Sequence, residues 1–284
     1  VKLSTSLHAE HMPMFHDPRL TCDLVEGSTV TQQLASDVSA VVLSHDGYAD
    51  LWPIFFELLF RFWPDLPYPL HLVSNHRTFS DSRVTPVRVG DDRSWSDTLA
   101  RALGDIRSRY VLLLLEDYFL TGPVDTARIA RLHAAMVKSG AVYLRLAPAP
   151  NPDGPYPGFP DIGFIATGAP YRSSLQIAFW ERSTLLGLLR QDETAWDFEL
   201  NGSRRSDQIT DPFLSVYDPC TLPYRHAVRR GRWIPGAIRQ FAMLGITIGA
   251  ANRPVESEFY SRWEESTVRR LLGKAWRFVT RRKL

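Results

Sequence analysis

Two adjacent carboxylates, Glu116 and Asp117, are the residues of this sequence best suited to chemistry, and they directly follow the apolar run Tyr110–Leu115. Acids at the end of a buried apolar strand are costly unless a partner offsets their charge. A divalent cation is such a partner, because Mg²⁺ and Mn²⁺ take carboxylate oxygens together with substrate phosphates. The simpler alternative is one solvated acid beside a helix cap. We predict a metal site that neutralises a leaving diphosphate.

The apolar run before this pair belongs to a series of alternating strands and helices. The predicted strands, which are short and rich in aliphatic residues, are 37–44, 70–75, 84–89, 110–115 and 141–146. The predicted helices, which show apolar residues at helical spacing, are 51–63, 94–106 and 124–139. A strand that is apolar on both faces lies in the middle of a mostly parallel sheet. This order predicts an α/β fold with an open, mostly parallel sheet flanked by helices.

The edge of such a sheet is where a ligand is expected, since ligands bind beyond the carboxyl ends of parallel strands. Polar residues follow Leu43, Val73 and Leu115, at the ends of three predicted strands. They therefore fall on one edge, which is the first functional inference from the sequence.

The chain after residue 146 is divided by loops. Residues 147–170 are rich in Pro and Gly and are predicted to form one long loop of functional importance. Residues 201–222 are polar and are predicted to form turns. The other predictions are a strand at 175–180, a helix at 182–190, a further segment at 194–200, a basic aromatic segment at 224–233 and helix from 256 onward. We divide the chain into an N-terminal extension (1–36), a sheet domain (37–245) and a C-terminal helical extension (246–284).

The composition argues against several classes of protein. A net charge of +2 over 284 residues does not favour nucleic acid as a partner. Cys22 and Cys220 lack the spacing of metal ligands, so neither a zinc site nor a required disulfide is expected, and a reducing compartment is the default. No apolar run reaches the length of about 18 residues that a transmembrane helix needs. The N-terminus lacks the order of a signal peptide.

Three motifs together resemble bacterial polysaccharide glycosyltransferases, a group similar in layout to the GT-A superfamily of nucleotide-sugar enzymes. The motifs are Val41-Val-Leu-Ser-His-Asp46, Trp95-Ser-Asp-Thr-Leu99 and Leu114-Leu-Glu-Asp-Tyr-Phe-Leu120. The resemblance extends from Asp37 to about Trp233. It implies a GT-A-like, Rossmann-like sheet, a nucleotide-sugar donor and a Mn²⁺ or Mg²⁺ ion, with Glu-Asp-Tyr standing in place of Asp-x-Asp.

The resemblance also implies roles for single residues. Residues expected to contact the donor nucleotide or its diphosphate are Ser44, Asp46, Asn75, Trp95, Glu116, Arg229 and Arg232. Asp117 and His226 are expected to hold the metal ion. Glu199, or else Asp197, is expected to be the base that removes the proton of the acceptor hydroxyl in an inverting reaction. Arg172 and Gln176 are expected to face the acceptor.

The C-terminal residues 268–284 place Arg and Lys around apolar positions at helical spacing. This pattern is typical of an amphipathic helix on an anionic membrane surface; a helix packed on the core with a solvated basic edge is the alternative. We expect a saccharide or lipid-linked acceptor, a role in surface polysaccharide synthesis, and a cytoplasmic protein that is peripheral on the inner face of the cell membrane.

Two further functions are weighed against sugar transfer. A nucleotidyltransferase would share the strand-end acids, although the turn His45–Tyr48 is a poor match to a Gly-rich phosphate loop. A non-catalytic carbohydrate-binding or membrane assembly subunit would fit the aromatic loops and the basic tail. Such a subunit has no need of Glu116 and Asp117, so the leading prediction is an enzyme, a nucleotide-sugar glycosyltransferase.

Overall fold

A computed structural model describes residues 37–248 and 253–265 of the chain. The predicted N-terminal extension 1–36 and the basic segment 268–284 lie outside the described residues. The strands are β1 (Val38–Leu43), β2 (Leu70–Ser74), β3 (Val84–Arg88), β4 (Tyr110–Leu115), β5 (Tyr118–Leu120), β6 (Tyr143–Arg145), β7 (Gly154–Tyr156), β8 (Phe159–Phe164), β9 (Ala178–Glu181), β10 (Phe213–Val216), β11 (Tyr224–His226), β12 (Val228–Arg229) and β13 (Arg232–Trp233). The α-helices are α1 (Trp52–Phe62), α2 (Trp95–Asp105), α3 (Thr126–Lys138), α4 (Arg182–Leu188), α5 (Ala195–Asp197), α6 (Ser203–Ser206), α7 (Pro235–Met243) and α8 (Glu258–Glu265). A 3₁₀ turn covers Asp46–Tyr48, and a π turn covers Phe198–Gly202.

One nine-stranded sheet forms the centre of the fold, in the order β3-β2-β1-β4-β9-β6-β10-β8-β7. Strand β1 pairs in parallel with β2 and β4, β2 with β3, and β6 with β10. Strand β9 runs antiparallel between β4 and β6, and β8 and β7 add an antiparallel hairpin at one end. The predicted fold class, a mostly parallel open sheet flanked by helices, is confirmed.

Two hydrophobic layers cover the two faces of this sheet, because successive residues of a strand point to opposite faces. In β4, Leu112 and Leu114 belong to the layer that contains residues of α1, α3 and α7. Val111 and Leu113 belong to the layer that contains residues of α2 and α4. The apolar run before Glu116 is therefore continuous because β4 is buried on both sides.

Side-chain caps fix the starts of two helices. The Oγ atom of Ser94 accepts a hydrogen bond from the N–H of Asp97 at 3.1 Å, as the sequence predicts for the start of α2. At the start of α3, Asp125 accepts from the N–H of Arg128 at 2.9 Å. These caps determine where the chain turns back from the edge of the sheet into a helix.

Two stretches predicted as loops contain strands of the main sheet, and here the predictions are wrong. Residues 147–170 form the hairpin of β7 and β8 at the end of the sheet, where an edge strand tolerates proline. Residues 201–222, predicted to be turns, contain α6 and the buried strand β10 between β6 and β8. A buried strand of four residues is too short to show a period in the sequence.

The described residues after 245 pack against the sheet domain. Val255 forms a parallel bridge with Trp233 of β13, and the N–H of Glu256 donates to the carbonyl of Trp233 at 2.9 Å. Helix α8 follows. The predicted division at residue 246 stays a prediction. Among the helices of 37–248 and 253–265, each is too short or too polar to cross a bilayer.

Candidate active site

Three parallel strands end side by side at one edge of the sheet. Leu43 at the end of β1 is in register with Val73 of β2 and Leu115 of β4. The residues that follow these strands are therefore neighbours, as the strand order predicts. Strand β9 begins at this same edge because it runs antiparallel to β4.

The two acids that follow β4 have different surroundings. Glu116 is only 8% exposed. Burial, together with the adjacent charge of Asp117, raises the pKa of Glu116 well above its ordinary value. The Asp117 carboxylate is turned toward His226, whose Nε2 lies 2.6 Å from Asp117 Oδ2. One acid is thus buried, and the other is engaged with an imidazole at the surface of the site.

A short two-stranded sheet brings His226 to Asp117. Strand β11 pairs antiparallel with β5, with His226 opposite Tyr118. The N–H of Ala227 also donates to the carbonyl of Asp117 at 3.1 Å. These pairings join residues 109 positions apart in the sequence. The two residues that the resemblance assigns to a metal ion are in direct contact.

The donor set at this point suits a divalent cation that a substrate helps to hold. In the part of the chain that the structure describes, no group of three or more His, Cys, Asp or Glu is arranged to hold a metal ion. Asp117 and His226 offer one oxygen and one nitrogen ligand. Mg²⁺ and comparable ions are commonly bound by one or two carboxylates plus substrate phosphates. The residues therefore fit an ion completed by a phosphate ligand, and they do not form a closed protein cage.

An aromatic wall extends from this pair. Tyr118 stacks on Tyr224 with ring centroids 5.0 Å apart, and it meets His226 edge-on at 5.3 Å. The Tyr224 hydroxyl donates a short hydrogen bond to Oε1 of Gln176. Burial, then the charge of Asp117 and further groups including Glu199, raise the pKa of Tyr118. Tyr118 therefore links His226 to the Tyr224–Gln176 pair through direct ring contacts.

Glu199 lies in the π turn between α5 and α6, and such turns are frequent at functional sites. Its Oε1 accepts a hydrogen bond from the N–H of Leu175 at 2.8 Å. Burial raises the pKa of Glu199; the hydrogen bond from Leu175 and the charge of Arg145 oppose this rise without cancelling it. A carboxylate with a raised pKa is the kind of group that works as a base near neutral pH.

Asp197, the alternative base, is a helix cap. Its Oδ2 accepts from the N–H of Thr194 at 3.1 Å and from the Thr194 hydroxyl at 2.7 Å. These hydrogen bonds lower the pKa of Asp197. Because the side chain is exposed and its oxygen is committed to the cap, the geometry favours Glu199 over Asp197.

Two buried guanidinium groups stabilise the loops behind Glu199. Arg145 at the end of β6 is fully buried, and it donates to the carbonyls of Pro150 at 2.5 Å and Tyr171 at 3.2 Å. Arg172, 4% exposed, donates to the carbonyl of Ser206 and lies 4.0 Å above the Phe213 ring. The Arg172 guanidinium is thus bonded inside the protein. Its predicted contact with the acceptor stays a prediction.

The polar residues that follow β1 and β2 bind one another. The Asp46 carboxylate accepts from the backbone N–H groups of Asn75, His76 and Arg77 at 3.1–3.3 Å. Asn75 Oδ1 accepts from the Asp46 N–H at 3.0 Å, and Ser44 Oγ accepts from Trp52 Nε1 at 2.8 Å. These contacts shape the edge of the sheet. Nucleotide contacts by Ser44, Asp46 and Asn75 stay predictions.

The remaining predicted donor residues, Arg229, Arg232 and Trp95, lie on the β12–β13 hairpin and on α2. Arg229 pairs with Glu256 at 3.2 Å, and the exposed Arg232 lies opposite Arg229 in the hairpin of β12 and β13. Trp95 packs against Phe198 with ring centroids 5.2 Å apart. Core packing explains Trp95 without a ligand, and the donor contacts of these three residues also stay predictions.

Sequence reasoning missed several residues of this edge. Arg145 belongs to the three-residue strand β6, which has no distinctive motif. Tyr118 and Tyr224 fall within segments that the sequence analysis singled out, but it assigned no role to either ring. An arginine within a predicted buried strand, as at position 145, was the one available signal, since such a charge needs buried partners.

Comparison with known proteins gives structural likenesses only. No known family model matches the chain, and no curated protein matches it. The S. aureus TarS fragment 1–349 is similar over 66% of this chain, which spans 59% of that fragment, at 10% identity and a TM-score of 0.44. The mannosyltransferase PcManGT from Pyrobaculum calidifontis, in complex with GDP-Man and Mn²⁺, is similar over 75% of this chain and 68% of its own, at 12% identity and a TM-score of 0.46. The 2-C-methyl-D-erythritol 4-phosphate cytidylyltransferase from Thermus thermophilus is similar over 74% of this chain and 99% of its own, at 12% identity and a TM-score of 0.44.

Proposed function

We propose that this protein is an enzyme that transfers a sugar from a nucleotide-diphosphate donor to a saccharide or lipid-linked acceptor, with inversion. One observation carries the proposal. Asp117, after β4, contacts His226 of β11. Tyr118 and Tyr224 stack beside this pair, and Tyr224 bonds Gln176, whose neighbour Leu175 donates to the half-buried Glu199 of the π turn. Ligands of open α/β sheets bind at the edge where parallel strands such as β4 end.

The donor side of the proposed site is formed by Asp117 and His226. These residues would hold Mn²⁺ or Mg²⁺ together with the donor diphosphate. A divalent cation supplies charge neutralisation at the leaving diphosphate when it is bound. Glu116, buried behind Asp117, would face the ribose or support the same ion.

The acceptor side is formed by Glu199 and the aromatic wall. Among the described residues, the hydrogen-bond partner of the Glu199 carboxylate is the Leu175 N–H, which binds Oε1 and leaves Oε2 to take a proton. Glu199 would remove the proton of the acceptor hydroxyl as that oxygen attacks the anomeric carbon, and the bond to the diphosphate breaks on the opposite side. Gln176 and Tyr224 lie where hydroxyl groups of an acceptor could be bound.

The first experiment is a calorimetric or thermal-shift titration with UDP, GDP, CDP and ADP, each with and without Mn²⁺. We expect one nucleotide to bind, more tightly with the ion than without it. The variants Asp117→Asn and His226→Gln should lose this ion dependence. The control is Asp81→Asn, which removes a surface pair with Arg83 ahead of β3 and should change nothing.

The outcomes separate the competing functions. If nucleotide binding does not respond to Mn²⁺, the proposal of a transferase is kept, but the proposed metal role of Asp117 is rejected. The same titration is repeated with CTP and UTP, and binding of a triphosphate in preference to every diphosphate would favour nucleotidyl transfer. Absence of binding to any nucleotide would overturn the proposal and favour a non-catalytic carbohydrate-binding or membrane assembly subunit.

A further inference from the structure

A segment near the C-terminus returns to the edge of the sheet where β1 ends. Residues 253–256 follow α7 in the chain and pair with β13 through Trp233. Glu256 is 7% exposed and pairs with Arg229 at 3.2 Å. This pairing directs Arg253 toward the turn that follows β1.

Arg253 contacts Gly47 and Tyr48 of that turn and Asp50 just after it. Its guanidinium forms a two-pronged ion pair with Asp50, with both N–O distances 2.8 Å. It also donates to the carbonyl of Gly47 at 2.9 Å and lies 4.0 Å above the Tyr48 ring. Arg253 is 7% exposed, so these contacts are made with little competition from water. A planar guanidinium can make such paired and stacked contacts at once, whereas a lysine ammonium cannot.

The turn held by Arg253 is part of the proposed donor site. Asp46, at its start, accepts three backbone N–H groups at the end of β2. The turn follows β1, whose last residue, Leu43, is in register with Leu115 at the end of β4. The turn therefore connects the ends of β1, β2 and β4.

We propose that Arg253 is a positioning residue of the donor site and that it holds the turn Asp46–Tyr48 in place through the contacts described above. The donor site is then completed by a segment outside the sheet domain predicted from the sequence. This inference rests on the proposed function for its ligand, a nucleoside diphosphate, but its structural part can be tested without one.

The structural test is hydrogen exchange of the full-length chain, comparing Arg253→Gln and Arg253→Lys with the unmodified protein. The N–H groups of Tyr48, Ala49 and Leu51 are bonded within the turn. We expect their exchange to become at least about tenfold faster in Arg253→Gln, with little rescue by lysine, while the amides of α3 keep their rates. The matched control is Arg239→Gln, which breaks a surface pair with Glu258 of α8 and should leave the turn unchanged.

The functional test measures affinity for whichever nucleoside diphosphate binds the unmodified protein. We expect Arg253→Gln to weaken binding by about tenfold and Asp50→Asn to weaken it less, because Arg253 then keeps its contacts with Gly47 and Tyr48. The double variant should be no worse than Arg253→Gln alone, since both changes remove the same ion pair. Unchanged exchange in the turn would overturn the inference, as would faster exchange throughout the protein. Locally faster exchange with unchanged affinity would overturn the role in donor binding. A protein that binds no nucleotide would instead overturn the proposed function, and the exchange result would still decide whether Arg253 positions the turn.

Discussion

The substitution Glu199→Gln gives the sharpest test of the proposed base. Glutamine keeps an oxygen that can accept the hydrogen bond from the Leu175 N–H, which is 2.8 Å from Oε1 of Glu199. The fold should therefore be retained, while the group that takes the proton is lost. We expect turnover to fall by about 100- to 10,000-fold, the usual contribution of a general base. Affinity for the nucleotide should not change, because the proposed site has Glu199 on the acceptor side and Asp117 and His226 on the donor side.

The same variant should gain stability at alkaline pH. Burial raises the pKa of Glu199 above its ordinary value of 4.5. Folding thus favours the protonated, neutral form of Glu199. The stability that this protonated side chain contributes is fully present below the pKa of Glu199 in the unfolded chain, and it is lost as the pH rises through the pKa in the folded protein. Each unit by which the pKa is raised corresponds to about 1.4 kcal/mol of unfolding free energy. Glutamine stays neutral, so Glu199→Gln should match the parent near pH 4 and exceed it at pH 8.

Denaturant unfolding of both proteins from pH 4 to pH 8 measures this difference, and release of nucleoside diphosphate from the donor measures turnover. Other titrating groups are common to both proteins and cancel in the comparison. A stability difference that is constant with pH would show that Glu199 does not titrate with a raised pKa. Turnover that survives in Glu199→Gln would refute its role as the base.

Three further predictions concern the framework of the site. Asp46→Ala should lower the unfolding free energy by about 2–3 kcal/mol, because three N–H groups lose a charged acceptor; a change below 0.5 kcal/mol in denaturant unfolding would contradict this. Gly163→Ala should lower the unfolding free energy by about 1–3 kcal/mol, since a Cβ there would lie 2.5 Å from a backbone oxygen. Its control is Gly187→Ala in α4, where the added Cβ meets nothing within 4 Å and should stabilise the helix. Equal thermal midpoints for the two variants would count against the β7–β8 packing. Ser94→Ala should remove the cap of α2 and cost about 1 kcal/mol, measured as a lowered midpoint of chemical unfolding.

Much of the sheet could be predicted because its central strands are long and buried on both faces. The run Tyr110–Leu115 is uninterrupted, and Ser94 marks the start of α2. Strand β10 and the hairpin of β7 and β8 could not be predicted in the same way. Their residues are few, and Pro155, Pro160 and Ser215 break the apolar pattern that identifies a strand.

The site was predictable where it depends on strand ends and less so where it depends on loops. Glu116 and Asp117 follow directly from the end of β4, and Asp117 is in contact with His226, while the metal role of both residues stays a prediction. The sequence does not show that the Asp46 carboxylate binds backbone N–H groups. Those partners lie in a loop, and the spacing of apolar residues predicts helices and strands but not the course of a loop. Arg253 is a similar case, because its partner Asp50 lies 203 residues away.

That separation has a consequence for how the protein is made. A nascent chain emerges from N- to C-terminus at about 5–20 residues per second, so about 10–40 s pass between the synthesis of Asp50 and that of Arg253. During this time the strands on which the site depends can already pair, while the turn after β1 still lacks its ion-pair partner. The segment that completes the proposed site would thus be among the last described residues to leave the ribosome. A translation product that stops before Arg253 would carry the sheet, but its turn Asp46–Tyr48 would lack the ion pair that holds it.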